Sequence, residues 1–253
     1  MRSTWPPTEG VGSPPVEEQL LAWFQAFGRD LPWRRTRDPY AILVSEVMLQ
    51  QTQVERVLPR YLEWIDRWPT AESLAAASPA DVIRAWQGLG YNRRGLNLYR
   101  AAQQVAASGW PDDLTDLPGV GPYTAAAIGN FAFGRDELPE DTNVRRVRER
   151  TGHDFSAAAA QALMDLGATV CLARIPRCDV CPVARVCTSR GRRYAPLRKQ
   201  SPFAGSFRER RARTLRLVAA QARRLDDVDR EAVESLARDG LVRVEADVVA
   251  LPA

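Results

Sequence analysis

Apolar positions along most of this chain recur every three to four residues, which is the period of amphipathic helices. The helices that this pattern predicts cover residues 16–27, 40–68 with an interruption near Pro59, 79–86, 93–107, 123–133, 143–150 and 229–238. Strand-like alternation occurs only in Leu241–Leu251, LVRVEADVVAL, which predicts a small hairpin. The sequence therefore predicts an all-α core followed by a small winged-helix-like tail.

The composition is that of an ordinary globular protein, with 45% hydrophobic and 26% charged residues in a chain of 253. No apolar run approaches the roughly 20 residues of a membrane-spanning helix. The first fifteen residues, MRSTWPPTEGVGSPP, lack the apolar stretch of a signal peptide. We expect a soluble, cytoplasmic protein with no membrane partner.

Basic residues are concentrated in one stretch of the chain. Residues 188–224 contain eleven arginines, Lys199 and one acidic residue, Glu209, so their local charge is +11 although the whole chain carries only +4. Such a block indicates either a surface that faces phosphates or a solvated linker. Lys199 is also the only lysine, so it is the only candidate for a catalytic side-chain amine.

The four cysteines all lie in a 17-residue window with the spacing C-x6-C-x2-C-x5-C, at Cys171, Cys178, Cys181 and Cys187. In a reducing compartment, clustered thiols indicate metal ligation rather than a disulfide framework. The spacing alone suits either an iron–sulfur cluster or a tetrahedral zinc ion.

The segment Leu117–Thr124, LPGVGPYT, precedes an apolar helix. Gly119, Val120 and Gly121 can form a tight turn with outward N–H groups, and Pro122 suits the first helical position, where no N–H is needed. Free amides at a helix N-terminus bind anions. The segment therefore indicates a helix-hairpin-helix motif that grips a DNA phosphate without reading sequence, or else a plain connection between helices.

The order of hairpin, downstream aspartate and cysteine quartet resembles the helix-hairpin-helix DNA glycosylases of the endonuclease III type over residues 20–190. Three strings, SEVMLQQTQV at 45–54, GLGY at 88–91 and MDLGATVC at 164–171, are similar to the MutY-type adenine glycosylases. The resemblance implies a [4Fe-4S] cluster on the four cysteines. It also implies a double-stranded DNA partner that contains a mismatch or an oxidised guanine.

The resemblance implies a domain organisation as well. A six-helix-barrel domain with the hairpin is expected at 30–138, and an iron–sulfur domain at 16–29 and 139–190. A flexible lead-in at 1–15, a basic linker at 191–212 and the tail at 213–253 complete the chain. The tail is too short for the Nudix-like domain that commonly recognises 8-oxoguanine in this family. We expect a monomer.

Excision of adenine requires an acid at the base and negative charge near the sugar. Glu46 suits the acid role because its neighbours in AILVSEVML are mostly apolar and burial would raise its pKa, although it could also be a partly exposed helix residue. At helical spacing, Gln50 and Gln53 would lie on the same helix face as Glu46 and form a polar stripe with it. Asp141, in DTNVRRV, matches the essential aspartate of the superfamily and also suits the N-cap of the helix 143–150.

The resemblance assigns roles to two more catalytic candidates. Asn143 would orient the Asp141 carboxylate or the substrate. Tyr123 occupies the position where bifunctional relatives carry a Schiff-base lysine, and a phenol cannot form an imine. Because Lys199 is the only lysine, a monofunctional glycosylase that uses water is expected.

Further residues are assigned to DNA. Gln51 and Tyr91 match family positions that wedge into the base stack, where a side chain fills the gap that base flipping leaves. Gln50 faces the nucleic acid as part of the polar stripe, and Arg185, between the last two cysteines, would reach a phosphate.

Two alternatives stay open from the sequence. Thymine or uracil mismatch glycosylases of the superfamily share the tyrosine–aspartate pair, so the excised base could differ. The chain could also be a non-catalytic iron–sulfur DNA-binding protein, because only 29 residues separate Asp141 from Cys171 and the family usually has more.

Overall fold

The computed structural model describes residues 15–195 and 201–253 of the chain. Lys199, most of the predicted lead-in and part of the predicted linker lie outside these residues. The described elements, in chain order, are α1 Val16–Phe27, α2 Pro39–Leu49, α3 Val54–Arg67, α4 Ala71–Ala75, α5 Pro79–Trp86, α6 Arg93–Ser108, α7 Pro122–Phe131, α8 Thr142–Thr151, α9 Ala160–Thr169, α10 Phe207–Ala220, β1 Arg223–Arg224, α11 Arg230–Arg238, β2 Arg243–Glu245 and β3 Val248–Ala250. The helical prediction is thereby confirmed, and no helix in the described part is long and apolar enough to cross a membrane.

The chain divides into two compact units. The described residues of one unit are 15–35 and 126–195, and we call it the cysteine unit. Those of the other are 36–125 and 201–253, and we call it the hairpin unit. The division falls inside α7.

The cysteine unit has a core formed mainly by α1, α8 and α9, with buried side chains that include Leu20, Trp23, Val147 and Leu163. Next to this core, the Asp165 carboxylate is only 1% exposed and forms ion pairs with Arg29 and Arg34 at 2.6 and 2.7 Å. Burial on its own would raise the pKa of Asp165, but the hydrogen bonds from Arg34 and Arg29 outweigh it and leave the pKa below 3.8.

The hairpin unit is built around α2, which is buried at every position from Tyr40 to Met48. Because α2 is apolar on all sides, it is a central helix rather than a surface helix. Trp64 packs edge-to-face against Trp68 and Trp86, with ring centroids 4.8 and 5.5 Å apart.

The C-terminal tail belongs to the hairpin unit. Its hydrophobic residues, among them Leu215, Leu236 and Val249, form one core with Ile83 of α5 and Leu96 of α6. The three strands form an antiparallel sheet in the order β1-β3-β2. The hairpin predicted within 241–251 is thereby confirmed, and α10 starts at Phe207, inside the stretch expected to be a linker.

One helix prediction is wrong. The interruption between residues 40 and 68 does not lie near Pro59, which is inside α3, but at Gln50–Gln53 between α2 and α3. Gln51 has a left-handed backbone with φ of 56°, which is incompatible with a continuous helix. Gln53 is therefore the N-cap of α3, and the polar stripe of Glu46, Gln50 and Gln53 on one helix does not exist.

Candidate active site

Asp141 is the N-cap of α8, as its position before TNVRRV predicts. Its Oδ1 accepts hydrogen bonds from the backbone N–H groups of Asn143 and Val144 at 2.8 and 2.7 Å, and its Oδ2 accepts one from Nδ2 of Asn143 at 2.8 Å. The positive end of the α8 dipole also lies at this carboxylate. These three hydrogen bonds therefore fix the direction of the Asp141 carboxylate.

Arg146 extends this arrangement towards the first cysteine. Its Nη2 donates to Oδ1 of Asn143 at 2.6 Å and to the carbonyl of Gly167 at 2.7 Å, and its Nε donates to the carbonyl of Cys171 at 2.8 Å. Burial lowers the pKa of Arg146. Arg146 was not identified from the sequence. Its position three residues after Asn143 on a predicted helix does indicate that the two side chains are neighbours.

Gly167 of α9 lies directly against Asn143 of α8. A Cβ at position 167 would be 2.5 Å from the Cβ of Asn143 and 3.0 Å from its Cα. Only a residue without a side chain allows the two helices to approach this closely. The glycine in MDLGATVC thus sets the position of the residue that holds Asp141.

Glu140 places a second negative charge next to Asp141 in the sequence, and this charge is paired with two arginines. Its carboxylate forms salt bridges with Arg145, at 3.3 Å, and with Arg148.

Glu46 lies in the second half of α2 and is only 7% exposed. The other buried residues of α2 around it are Val44, Ser45, Val47 and Met48. The alternative of a partly exposed helix glutamate is therefore wrong. Glu46 and Asp141 belong to different units, Glu46 to the hairpin unit and Asp141 to the cysteine unit.

The predicted hairpin has the expected turn. Gly119 has φ of 81°, and a Cβ there would lie 2.8 Å from Cβ of Asn97, so both the backbone and the space require glycine. Gly119 and Gly121 are exposed, whereas the Val120 side chain is buried and anchors the turn.

One residue beside the turn directly follows α2, and another lies in α7. Nε2 of Gln50 lies 3.4 Å from the carbonyl oxygen of Gly119 and 3.5 Å from Oγ1 of Thr124. Gln50 therefore contacts the hairpin and does not continue a polar helix face with Glu46. Tyr123 is the second residue of α7 and is half-buried.

The two predicted wedge residues share an unusual backbone. Gln51 and Tyr91 are exposed and have φ of 56° and 46°. The left-handed region is uncommon for residues other than glycine, and such residues cluster at functional sites.

The four cysteines line one pocket, together with apolar side chains that include Val147, Leu166, Val170 and Val183. Burial, with smaller contributions from the other three thiols, raises the pKa of Cys181 to about 12. Two N–H groups point at sulfur: Nη1 of Arg150 lies 3.5 Å from Cys171 Sγ, and the Gly191 N–H lies 3.4 Å from Cys178 Sγ. Within residues 15–195 and 201–253, no group of three or more His, Cys, Asp or Glu side chains is arranged to hold a metal ion.

Arg150 organises the loop that carries the first cysteine. It is 8% exposed, and it donates to the carbonyls of Leu172 and Ala173 at 2.8 and 2.6 Å. Its guanidinium lies 3.6 Å from the ring centroid of Tyr194. Arg185, assigned to a phosphate by the resemblance, is exposed in the turn between Cys181 and Cys187.

Comparison with known proteins extends this picture. Residues 44–165, which include Glu46, Asp141 and the hairpin, match the family described as HhH-GPD superfamily base excision DNA repair protein. The adenine DNA glycosylase of Mycolicibacterium smegmatis is 39% identical over 277 residues, which cover 92% of this chain and 94% of the relative. The chain belongs to the adenine DNA glycosylase family. It is a DNA N-glycosylase of base excision repair.

Other adenine DNA glycosylases match this chain over different shares of their own length. The protein of Mycobacterium tuberculosis is 40% identical over 91% of both chains. The human protein is also 40% identical, but the match covers 68% of this chain and only 39% of that relative.

Solved structures agree on the fold. A thermostable thymine-DNA glycosylase has a TM-score of 0.62 and 27% identity, over 69% of this chain and 94% of its own. Endonuclease III in a trapped covalent intermediate with DNA has a TM-score of 0.59 at 21% identity, over 69% of this chain and 93% of its own. The predicted helix-hairpin-helix glycosylase fold is confirmed.

Proposed function

We propose that this member of the adenine DNA glycosylase family is a monofunctional enzyme that hydrolyses the N-glycosidic bond of adenine mispaired with 8-oxoguanine or guanine. The observation that carries the proposal is the contrast between its two candidate carboxyl groups. Glu46 is buried in an apolar helix, whereas Asp141 accepts three hydrogen bonds at a helix N-terminus. Two carboxyl groups in unlike environments can act as acid and as anion at the same pH.

Glu46 is the proposed general acid. Adenine leaves poorly as an anion, so a proton must reach the base as the glycosidic bond breaks. Glu46 is the only acidic residue of α2, and we assign this proton to its carboxyl group.

Asp141 is the proposed anion at the sugar. As the base departs, positive charge develops on the sugar, and a fixed carboxylate stabilises that charge. Asn143 holds Oδ2 of Asp141 in place, and Arg146 holds Asn143. A carboxylate that is already oriented requires no reorganisation when the charge develops.

Tyr123 and the lysine content support hydrolysis by water. Tyr123 stands at the first turn of α7, where its phenol cannot form an imine with the sugar. Lys199 is the only lysine in the chain. We therefore propose that the product is an intact strand with an abasic site.

Several residues are proposed to hold the DNA, all by contacts that require no base sequence. The exposed turn of Gly119, Val120 and Gly121 would bind a phosphate through backbone N–H groups at the start of α7. Gln50 lies beside this turn, and Arg185 would bind a second phosphate. The proposed partner is a mismatched or oxidised duplex, bound by one copy of the chain.

The proposed cofactor is a [4Fe-4S] cluster on Cys171, Cys178, Cys181 and Cys187. The donor set fits, because four cysteine thiolates are the ligands of such clusters and all four thiols line one pocket. The N–H groups of Arg150 and Gly191 directed at sulfur are typical of thiolates that carry charge. When bound, the cluster would tie together the loop that carries Arg185.

A duplex panel tests the function. Purified protein is incubated with duplexes that contain A opposite 8-oxoguanine, A opposite G, T opposite G or U opposite G, and abasic sites are then cleaved with alkali. We expect cleavage after alkali only in the two adenine duplexes. Strand breaks before alkali would contradict the monofunctional mechanism, and no cleavage of any duplex would contradict enzymatic base excision.

Thymine excision is the second candidate, because the thymine-DNA glycosylase matches at 27% identity. The same panel decides between the two, since a thymine enzyme would cleave the T opposite G duplex and leave the adenine duplexes intact. The cofactor is tested separately: a broad absorption near 400 nm is expected, and it should be lost on replacing Cys178 with serine.

A further inference from the structure

We infer that Arg94 is a positioning residue that fastens two separate turns into one rigid wedge, which carries Gln51 on one turn and Tyr91 on the other. The first turn is Gln50–Gln53, between α2 and α3, and the second is Gly88–Tyr91, between α5 and α6. This inference rests on the proposed function, and it takes Gln51 and Tyr91, which the family resemblance assigns to the base stack, to be the residues that insert into DNA.

One nitrogen of the Arg94 guanidinium closes the end of α2. Nη1 donates to the carbonyl oxygens of Val47 and Met48 at 2.8 and 3.1 Å, and also to that of Gln50. The last carbonyls of a helix have no partner within the helix. Arg94 supplies that partner from α6, so the chain leaves α2 in the direction that places Gln51.

The other terminal nitrogen holds the second turn. Nη2 donates to the carbonyl oxygens of Leu89 and Gly90 at 3.2 and 3.1 Å, and to Oγ1 of Thr52 in the first turn at 3.0 Å. One planar guanidinium is therefore bonded to both turns at once. A lysine would keep the charge but offer its donors from a single point, so it could not reproduce this fork.

The two wedge residues need such support. Gln51 and Tyr91 both have positive φ, and a non-glycine residue keeps such a strained backbone only when its surroundings enforce it. The Arg94 guanidinium also lies 5.5 Å from the ring centroids of Tyr91 and Trp86, so the exposed tyrosine ring contacts a half-buried arginine.

The partial burial of the charged Arg94 guanidinium costs free energy of folding. Arg94 is partly buried, its hydrogen bonds all go to uncharged oxygens, and its Nε has no acceptor within the described residues. Burial accordingly lowers the pKa of Arg94 to about 10, although the group stays charged at neutral pH. A half-buried cation that is bound by carbonyl oxygens fixes the position of the backbone that carries them. Here that backbone belongs to the two turns that carry the proposed wedge residues.

The test uses a duplex with 2-aminopurine opposite 8-oxoguanine, because the fluorescence of 2-aminopurine rises when the base leaves the stack. The full chain is compared with Arg94→Lys and with Arg67→Lys, a control arginine that lies 4.4 Å from the Trp68 ring centroid in the same unit. Fluorescence amplitude, single-turnover excision of adenine and the thermal unfolding midpoint are measured for each. We expect Arg94→Lys to lower the amplitude and to slow excision by about 10- to 100-fold, while Arg67→Lys matches the wild type.

A second comparison separates positioning from general stability. Arg94→Lys is also made in a Gln51→Ala, Tyr91→Ala background, where no wedge side chains remain to be positioned. There we expect it to slow excision by less than about twofold, because residues that act through one another are not additive. An equal effect in both backgrounds, or wild-type behaviour of Arg94→Lys, would overturn the inference.

Two further outcomes stay interpretable. Should Arg94→Lys not fold, Thr52→Val removes a single acceptor of Nη2 and is expected to lower the fluorescence amplitude in the same direction; no change would then overturn the inference. Because fluorescence reports flipping without excision, a wild-type protein that flips the base but excises nothing would contradict the proposed function and leave the wedge test intact.

Discussion

The surroundings of Asp141 and of Glu46 are organised in opposite ways. Asp141 is held by groups within three residues of itself, namely two backbone N–H groups and the Asn143 amide. The helix that carries Glu46 is instead finished by Arg94, which is more than forty residues away in the sequence. Local hydrogen bonds thus fix the direction of the Asp141 carboxylate, whereas the helix that carries Glu46 is held at its end by a residue distant in the sequence.

The difference shows that one chain can give two carboxyl groups unlike surroundings, as the two roles proposed for them require. Substitutions that remove charge but preserve shape are therefore the most direct way to test whether each environment serves the role assigned to it.

The largest effect is expected at Asp141. Asparagine is as good an N-cap as aspartate, so Asp141→Asn should leave the thermal midpoint unchanged while removing the anion. We expect single-turnover excision to fall by about 10³-fold. Asp229→Asn is the matched control, since Asp229 caps α11 in the tail and should excise at the wild-type rate. Equal activity of the Asp141 variant would mean that the residue only caps its helix.

A similar loss of activity is expected at Glu46, again without a loss of stability. Glu46→Gln keeps the volume and removes the proton donor, so excision should slow by about 10²- to 10³-fold. Because a neutral amide replaces a buried carboxyl group, unfolding in urea at pH 7 should show no loss of stability. A strongly destabilised but active variant would contradict the assignment.

The buried ion pairs of Asp165 predict an effect on folding rather than chemistry. Asp165→Asn leaves Arg29 and Arg34 without their anion and should lower the free energy of unfolding by about 2–4 kcal/mol at pH 7. The pKa of Asp165 is lowered in the folded state, so its stabilisation is complete above its ordinary pKa of 3.8 and is lost as the pH falls through the lower folded value. The difference between wild type and variant should therefore shrink below about pH 4, and a gap that stays constant down to pH 2 would contradict the ion-pair account.

The smallest effect is expected from the helix contact behind Asp141. A Cβ at Gly167 would meet Asn143, so Gly167→Ala should push α8 away from α9 and cost about 1–3 kcal/mol of stability. We expect roughly tenfold slower excision, because Asn143 would no longer hold the carboxylate in place. Ala168→Ser on the same helix serves as the control. Normal excision by Gly167→Ala would show that this contact does not matter for the site.

Features of the structure that are determined by residues close together in the sequence could be predicted. The capping role of Asp141 follows from the residues just after it, and the shared pocket of the cysteines follows from their spacing. The break at Gln50–Gln53 could not be predicted, because Arg94 stabilises it from another helix and Pro59 offered a misleading local signal. The contact between Gly167 and Asn143 was missed for the same reason, since it depends on how two helices pack.

The single-turnover rate of adenine excision tests the central claim most directly, because an acid and an anion must both be present in the active protein. For an A opposite 8-oxoguanine duplex, this rate is measured in the wild type, in Glu46→Gln, in Asp141→Asn and in the double variant. We predict that each single variant is slower by at least about 10²-fold and that the loss in the double variant is smaller than the product of the two single losses, because both groups act on one transition state. Wild-type rates in both single variants would contradict the claim that these two carboxyl groups carry the chemistry.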